Sequence, residues 1–238
     1  MTDANKILKE MKDNGAKYLD LRFTDPRGKL QHLTMDGTAV DEDLLNNGTY
    51  FDGSSISGWK AINESDMVLK PDLNTTVMDP FMAQPTMIVF CDILDAVTKE
   101  PYERDPRGTA RKAEELVSSS GVGDTIYMGP EAEFFVFDDV KFQVDMNKSM
   151  FEIDGTEGPY NSGRSYESGN LAHRPGIKGG YFPVPPVDSG QDIRTEFLEE
   201  LKNLGLSVEK HHHEVAPSQH ELGLSLIHIS EPTRQEAI

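Results

Sequence analysis

The sequence holds a single cysteine, Cys91, among 238 residues. No disulfide framework can form within the chain, and a reducing, cytoplasmic location is expected. Cys91 sits in the apolar run TMIVFCDIL and reads as a small buried hydrophobe. Positive charge is also scarce: 23 Lys and Arg face 41 Asp and Glu, for a formal net charge of −18. That balance argues against nucleic acid or an anionic membrane as partner, and it suits a protein that binds cations. No apolar run approaches the length of a membrane span, and the start, MTDANKILKEMKDNG, lacks the apolar core of a signal peptide. G-x-G-x-x-G and the P-loop are both missing, so any nucleotide is held without a glycine-rich cradle.

What is present points to a soluble α+β protein of one large domain or two modest ones. The first residues form an amphipathic pattern, with Asp3 or Asn5 as cap, a stripe of Ile7, Leu8 and Met11, and Asn14-Gly15 as stop. Alternation then predicts a hairpin. Leu19, Leu21 and Phe23 share one face, DPRG makes the turn, and Leu30 and Leu33 follow. Strands are expected in SDMVLKPD and TMIVFCDIL, closing a small domain near Lys99–Asp105. Asp105, Pro106 and Gly121 mark the cap, first turn and stop of a helix. A strand through EAEFFVF, a hairpin through KFQVDMNKSMFEID and a glycine-rich loop over 155–180 come next. A helix in QDIRTEFLEELKNLG should bury Ile193, Phe197, Leu198, Leu201 and Leu204, before a strand in LSVEKHHHEVAP. FDGSSISGWKAINESDM reads as a polar loop anchored by the only tryptophan, Trp59, or as a lid or interface loop.

Two stretches carry unusual chemistry. Glu131 and Glu133 lie two apart in a strand that otherwise reads as buried, so both carboxylates project from one face beside phenylalanines. Glu214 and Glu221 flank a turn in HHHEVAPSQHE. If the two segments pair, three or four carboxylates converge, and a hard cation such as Mg²⁺ or Mn²⁺ would neutralise them. The plain alternative is solvated or salt-bridged glutamates on a half-exposed strand. His211, His212 and His213 could suggest a zinc hydrolase. Successive strand residues alternate faces, though, so all three cannot bind one ion, and packed or hydrogen-bonded roles fit better.

The motifs FDGSSISGWKAINESDMVLKPD, GPEAEFFVFD, GGYFPVPPVDSGQDIR and HHHEVAPSQHELG, in this order and spacing, resemble bacterial type I glutamine synthetase through about Gly223. The resemblance implies a β-grasp domain over 1–104 and part of a catalytic domain, a curved antiparallel sheet with helices, over 105–223. It implies an ATP-dependent ligase that joins ammonia to glutamate through γ-glutamyl phosphate, with two divalent metals, Mg²⁺ or Mn²⁺. Glu133, Glu214 and Glu221 match ligands of the first metal and Glu131 matches one of the second. Glu209 matches a nucleotide contact. Asp52 and Ser55 match a loop that reaches a neighbouring subunit's site in a double-ring dodecamer, the aspartate binding ammonium and taking its proton.

The resemblance has limits. The family chain is about twice as long, and its arginines for glutamate and phosphate, its other second-metal ligands and its flap find no match. This chain alone is expected to be inactive. A carboxylate-based cation-binding protein without catalysis is the other reading. The stretch LSLIHISEPTRQEAI is similar to translated sequencing adapter, so 224–238 is expected to be a non-native tail in which His228 is no ligand.

Overall fold

The computed structural model describes residues 3–158 and 174–225, and the backbone of 227–228. Much of the loop expected over 155–180, and nearly all of the tail, therefore lie outside the described residues. Contacts divide the chain into two compact units, with the division at Met128/Gly129.

The first unit opens with α1 (Asp3–Asp13), whose stripe buries Ala4, Ile7 and Met11. The hairpin β1 (Tyr18–Thr24) and β2 (Leu30–Asp36) follows in antiparallel register. Next come α2 (Glu42–Asn47), β3 (Thr49–Asp52), β4 (Asp66–Pro71), β5 (Val77–Met78) and β6 (Thr86–Asp95). The strands run β2-β1-β6-β4-β3 across one sheet, with β5 also on β6. The central β1–β6 pair is parallel and its flanks antiparallel, a β-grasp arrangement. Leu19, Leu21, Met67, Leu69, Val89, Cys91 and Ile93 fill the core beneath α1. Trp59 is buried among Phe23, Phe51 and Tyr102, with ring centroids 5.6, 5.6 and 6.2 Å away. The polar loop is thus pinned to the core by its indole.

Helix α3 (Pro106–Ser120) begins and ends where its punctuation requires. The Asp105 carboxylate accepts from the Arg107 amide, and Gly121 closes the helix at φ 72. None of its residues is buried. Arg107 and Arg111 tie it to Asp72 and Asp92, at 2.6–3.3 Å.

The second unit follows β7 (Tyr127–Met128), which belongs to the first unit. It contains β8 (Glu131–Phe135), β9 (Asp139–Asp145), β10 (Lys148–Asp154), α4 (Gln191–Asn203), β11 (Val208–His213) and β12 (Gln219–Leu224). β9 and β10 form the expected hairpin, and β11-β12-β8 form an antiparallel sheet. β13 (Ile227–His228) pairs with β7. Two expectations fail here. β8 is not buried: Glu131, Ala132 and Glu133 are exposed and Phe135 keeps 49% of its surface, because β8 is an edge with β12 as its only partner among the described residues. Helix α4 does not bury its apolar stripe either. Its one buried residue is Arg194, while Ile193 is exposed and Phe197, Leu198 and Leu201 are half-covered.

Asp20 is another buried charge, on the β1 face opposite the leucines. Its side chain has no exposure and accepts from Thr34 Oγ1 (2.6 Å), Arg22 Nε (2.8 Å) and His32 Nδ1 (2.8 Å). Burial alone would raise its pKa, but the bonds from Thr34, Arg22 and His32 outweigh burial and hold it below the ordinary value. The stability this carboxylate contributes is present above the ordinary Asp pKa and is lost as pH falls through the lower folded value. Asp20→Ala removes the acceptor of Arg22 Nε, Thr34 and His32, while Arg22 keeps Asp79 at 2.8 Å through Nη2, so stability should fall by about 2 kcal/mol. Urea unfolding followed through Trp59 fluorescence measures this, and Asp20→Asn should flatten the acid limb of the midpoint-against-pH curve.

Candidate metal centre

The register of β11, β12 and β8 builds a charged face. Glu221 lies directly opposite Glu133 on one side and His212 on the other. Directly opposed residues project from the same face, so the three side chains meet there. Glu131, two residues from Glu133, joins that face opposite Gly223. Glu214 follows the end of β11, where the Val215 amide donates to its carboxylate at 2.7 Å.

One ligating atom each of His212, Glu214 and Glu221 lies within 4.8 Å of the others. The imidazole stands between the acids, with Nδ1 3.7 Å from Glu214 and Nε2 3.5 Å from Glu221. Glu133 is outside this trio and accepts from Gln219 Nε2 at 2.6 Å. Burial pushes the Glu221 carboxyl up; His212 lowers it, and Glu131, Glu214 and Glu133 add to the rise. Among the described residues no Lys or Arg ion-pairs with any of the four glutamates. The donor set is two or three carboxylates with one imidazole, which fits Mg²⁺ or Mn²⁺, and the imidazole favours Mn²⁺. A cation would offset the burial and, after it, the neighbouring carboxylates that raise Glu221.

The other face of the same strands is wired differently. His213 is buried, with Nε2 2.7 Å from Glu157 and Nδ1 2.7 Å from the Glu214 carbonyl. Both partners are acceptors, so both ring nitrogens carry protons. Burial would lower the His213 pKa, but the bond to Glu157 outweighs it and the pKa is raised. Glu157 also accepts from the Ser189 amide and hydroxyl. Burial alone would raise its carboxyl, but the bonds from His213 and Ser189 bring it down to about 2. His220 accepts from Arg194 at 2.7 Å, and burial with that cation brings it down to about 4. The three consecutive histidines therefore split as alternation requires: His211 and His213 are hydrogen-bonded on this side, and His212 faces the acids. His212 was missed because alternation separates the three without saying which side holds the carboxylates.

Two other expected residues stand elsewhere. Glu209 sits exposed at the bulge of β11 and accepts from Ser225 Oγ at 2.8 Å. Asp52 and Ser55 belong to the first unit. Asp52 ends β3 exposed and accepts from the Ser54 amide (2.9 Å), Ser54 Oγ (2.6 Å) and Ser55 Oγ (2.8 Å). The bonds from Ser54 and then Ser55 hold its carboxyl below the ordinary range.

Comparison with known proteins adds lineage to this geometry. The family profile "Glutamine synthetase, beta-Grasp domain" matches residues 15–96, and "Glutamine synthetase, catalytic domain" matches residues 103–231. A glutamine synthetase of Rhizobium meliloti (strain 1021) is 63% identical over 224 residues, which are 94% of this chain and 48% of that protein. One from Azospirillum brasilense is 60% identical over the same shares. The chain spans about half the length of the curated relatives it matches. The cryo-electron microscopy structure of Plasmodium falciparum glutamine synthetase superimposes with a TM-score of 0.85 at 24% identity. That match covers 96% of this chain and 45% of the other, and it speaks for the fold.

The raised Glu221 carboxyl fixes the sign of a test. A raised acid costs stability as pH climbs through its folded pKa. Glu221→Gln should therefore hold or raise the cation-free melting temperature at pH 7. It should also remove most of the gain that Mn²⁺ gives the wild type, about 2.7 kcal/mol at a hundred-fold excess over Kd. Thermal melts with and without MnCl₂ read both effects.

Proposed function

The chain belongs to the bacterial type I glutamine synthetase family, and from that premise we propose that it supplies the metal-binding carboxylates of an ATP-dependent glutamate–ammonia ligase. The observation that carries the reading is the cross-strand pairing of Glu133 with Glu221, with Glu214 and His212 gathered beside Glu221.

In the proposed reaction the glutamate side-chain carboxylate attacks the terminal phosphorus of ATP and ADP leaves. Ammonia then attacks the acyl carbon, and inorganic phosphate leaves as the amide forms. Glu133, Glu214 and Glu221 hold the first Mg²⁺ or Mn²⁺, His212 stands beside them, and Glu131 contributes to the second. The ions, when bound, neutralise phosphoryl charge. Glu209 contacts the nucleotide. Asp52, kept anionic by Ser54 and Ser55, attracts ammonium and takes its proton, and Ser55 keeps the loop in shape. The loop would act on a neighbouring copy in a homo-oligomer, a dodecamer by family likeness. No described helix is long and apolar enough to cross a membrane, which accords with the cytoplasmic location we propose. We place the β-grasp domain at 1–104, the catalytic part at 105–223 and a non-native tail at 224–238, and sequencing the gene past codon 223 tests the last.

Two experiments test the reading. Glu133→Ala should weaken Mn²⁺ binding by calorimetry more than Glu131→Ala, since Glu133 has its two companion ligands in this chain; equal losses contradict the assignment. The 238-residue chain alone should form no glutamine from glutamate, ATP and ammonia. Residues 1–223 joined to the second half of the Rhizobium meliloti relative should form it in a metal-dependent way. Mn²⁺ binding without turnover by that chimera would instead indicate a cation-binding protein.

A further inference from the structure

The side of the β11–β12 pair away from the acids carries a feature that the proposed chemistry does not use. Arg194 of α4 has no exposure and is the one buried residue of its helix. The Asp188 carboxylate receives its Nη1 at 3.0 Å and its Nη2 at 2.5 Å. Its remaining bonds reach both strands: Nε donates to His211 Nδ1 on β11 at 3.1 Å, and Nη1 donates to His220 Nδ1 on β12 at 2.7 Å. His211 in turn meets Thr195 Oγ1 at 3.1 Å, so its ring is held at both nitrogens.

His211 and His220 are the chain neighbours of His212 and Glu221, which are paired across the strands. Successive strand residues face opposite sides, so a group that fixes His211 and His220 also fixes the backbone from which His212 and Glu221 project. We propose that Arg194 is a positioning residue for the cation-binding face, setting from behind the spacing of the two strands that carry His212 and Glu221. The proposal rests on the cation-binding reading of that face.

Energetics point the same way. A buried ion pair is seldom better for stability than apolar side chains of equal volume, so stability alone gives little reason for an arginine here. Its planar fork makes four directed bonds from three separate nitrogens, two to one carboxylate and one to each of two rings, whereas lysine has three donors on a single nitrogen and an apolar residue has none. The surrounding chain is shaped to admit it. At Gly190, which precedes α4, a Cβ would come within 2.4 Å of His220 Cε1 and 2.8 Å of Arg194 Nη1.

The test uses the full chain with Mn²⁺ as probe, following free and bound ion by electron paramagnetic resonance at a temperature where circular dichroism shows a folded protein. Arg194→Lys keeps the charge beside Asp188 and loses the fork. His211→Phe keeps a planar ring, somewhat larger, and removes the acceptor of Arg194 Nε together with the Thr195 contact. Removing such supporting contacts should weaken Mn²⁺ binding about ten-fold for Arg194→Lys and by a smaller factor for His211→Phe, with a changed line shape for the bound ion. A purely structural role would lower the melting temperature and leave the folded protein's affinity and line shape as in the wild type. That result in both variants overturns the proposal. If Arg194→Lys does not fold, His211→Phe decides by the same criterion. A wild type that binds no Mn²⁺ would sink the cation reading and this inference together, whereas wild-type binding with unchanged variants sinks this inference alone.

Discussion

Repulsion among like charges is the constraint around which the second unit is arranged. Glu221 is buried, faces Glu133 across the strands, and has Glu214 and Glu131 close enough to raise its pKa. Burying Glu221 beside other carboxylates costs free energy unless a positive charge answers it. Within the described chain the answer is small: one imidazole between two acids, the Val215 amide on Glu214 and the Gln219 side-chain amide on Glu133. A divalent cation is the natural counter-charge for such a set.

The opposite face of the strands has the inverse character. There every buried ionic group is matched: Arg194 with Asp188, and protonated His213 with Glu157. These pairs join the loop at 157, the turn at 188–190, α4 and both strands without drawing on the front face. A rigid, internally neutral backing lets the front carry an unbalanced charge and keep its geometry. The β-grasp unit follows ordinary packing by comparison: Asp20 is held by its hydrogen bonds, burial raises Asp92 and Asp105, and Trp59 anchors the loop that carries Asp52.

What could be read in the sequence divides along a physical line. Local chemistry was legible. Asp105, Pro106 and Gly121 delimit α3 because cap and stop residues act within a few positions of themselves. The alternation of Leu19, Leu21 and Phe23 gave β1, and the paired glutamates marked the charged face. Properties set by distant partners were not legible. β8 reads as buried from its phenylalanines, yet whether a strand is central or an edge depends on which strands flank it. Phe134 alone turns inward, against Phe197 and His220. The α4 stripe gave no hint that Arg194 is its buried residue, because its partners Asp188, His211 and His220 come from three other segments. His212 stayed hidden for the same reason, its side fixed by the register between β11 and β12.

The central claim is that the face formed by β8, β12 and the end of β11 holds a divalent cation. Anomalous diffraction from crystals grown with Mn²⁺ tests it most directly. The account predicts a peak roughly 2.2 Å from carboxylate oxygens of Glu214 and Glu221, with Glu133 turned toward it. Crystals in which Mn²⁺ binds elsewhere, with these glutamates left to solvent or paired with lysines, would contradict it.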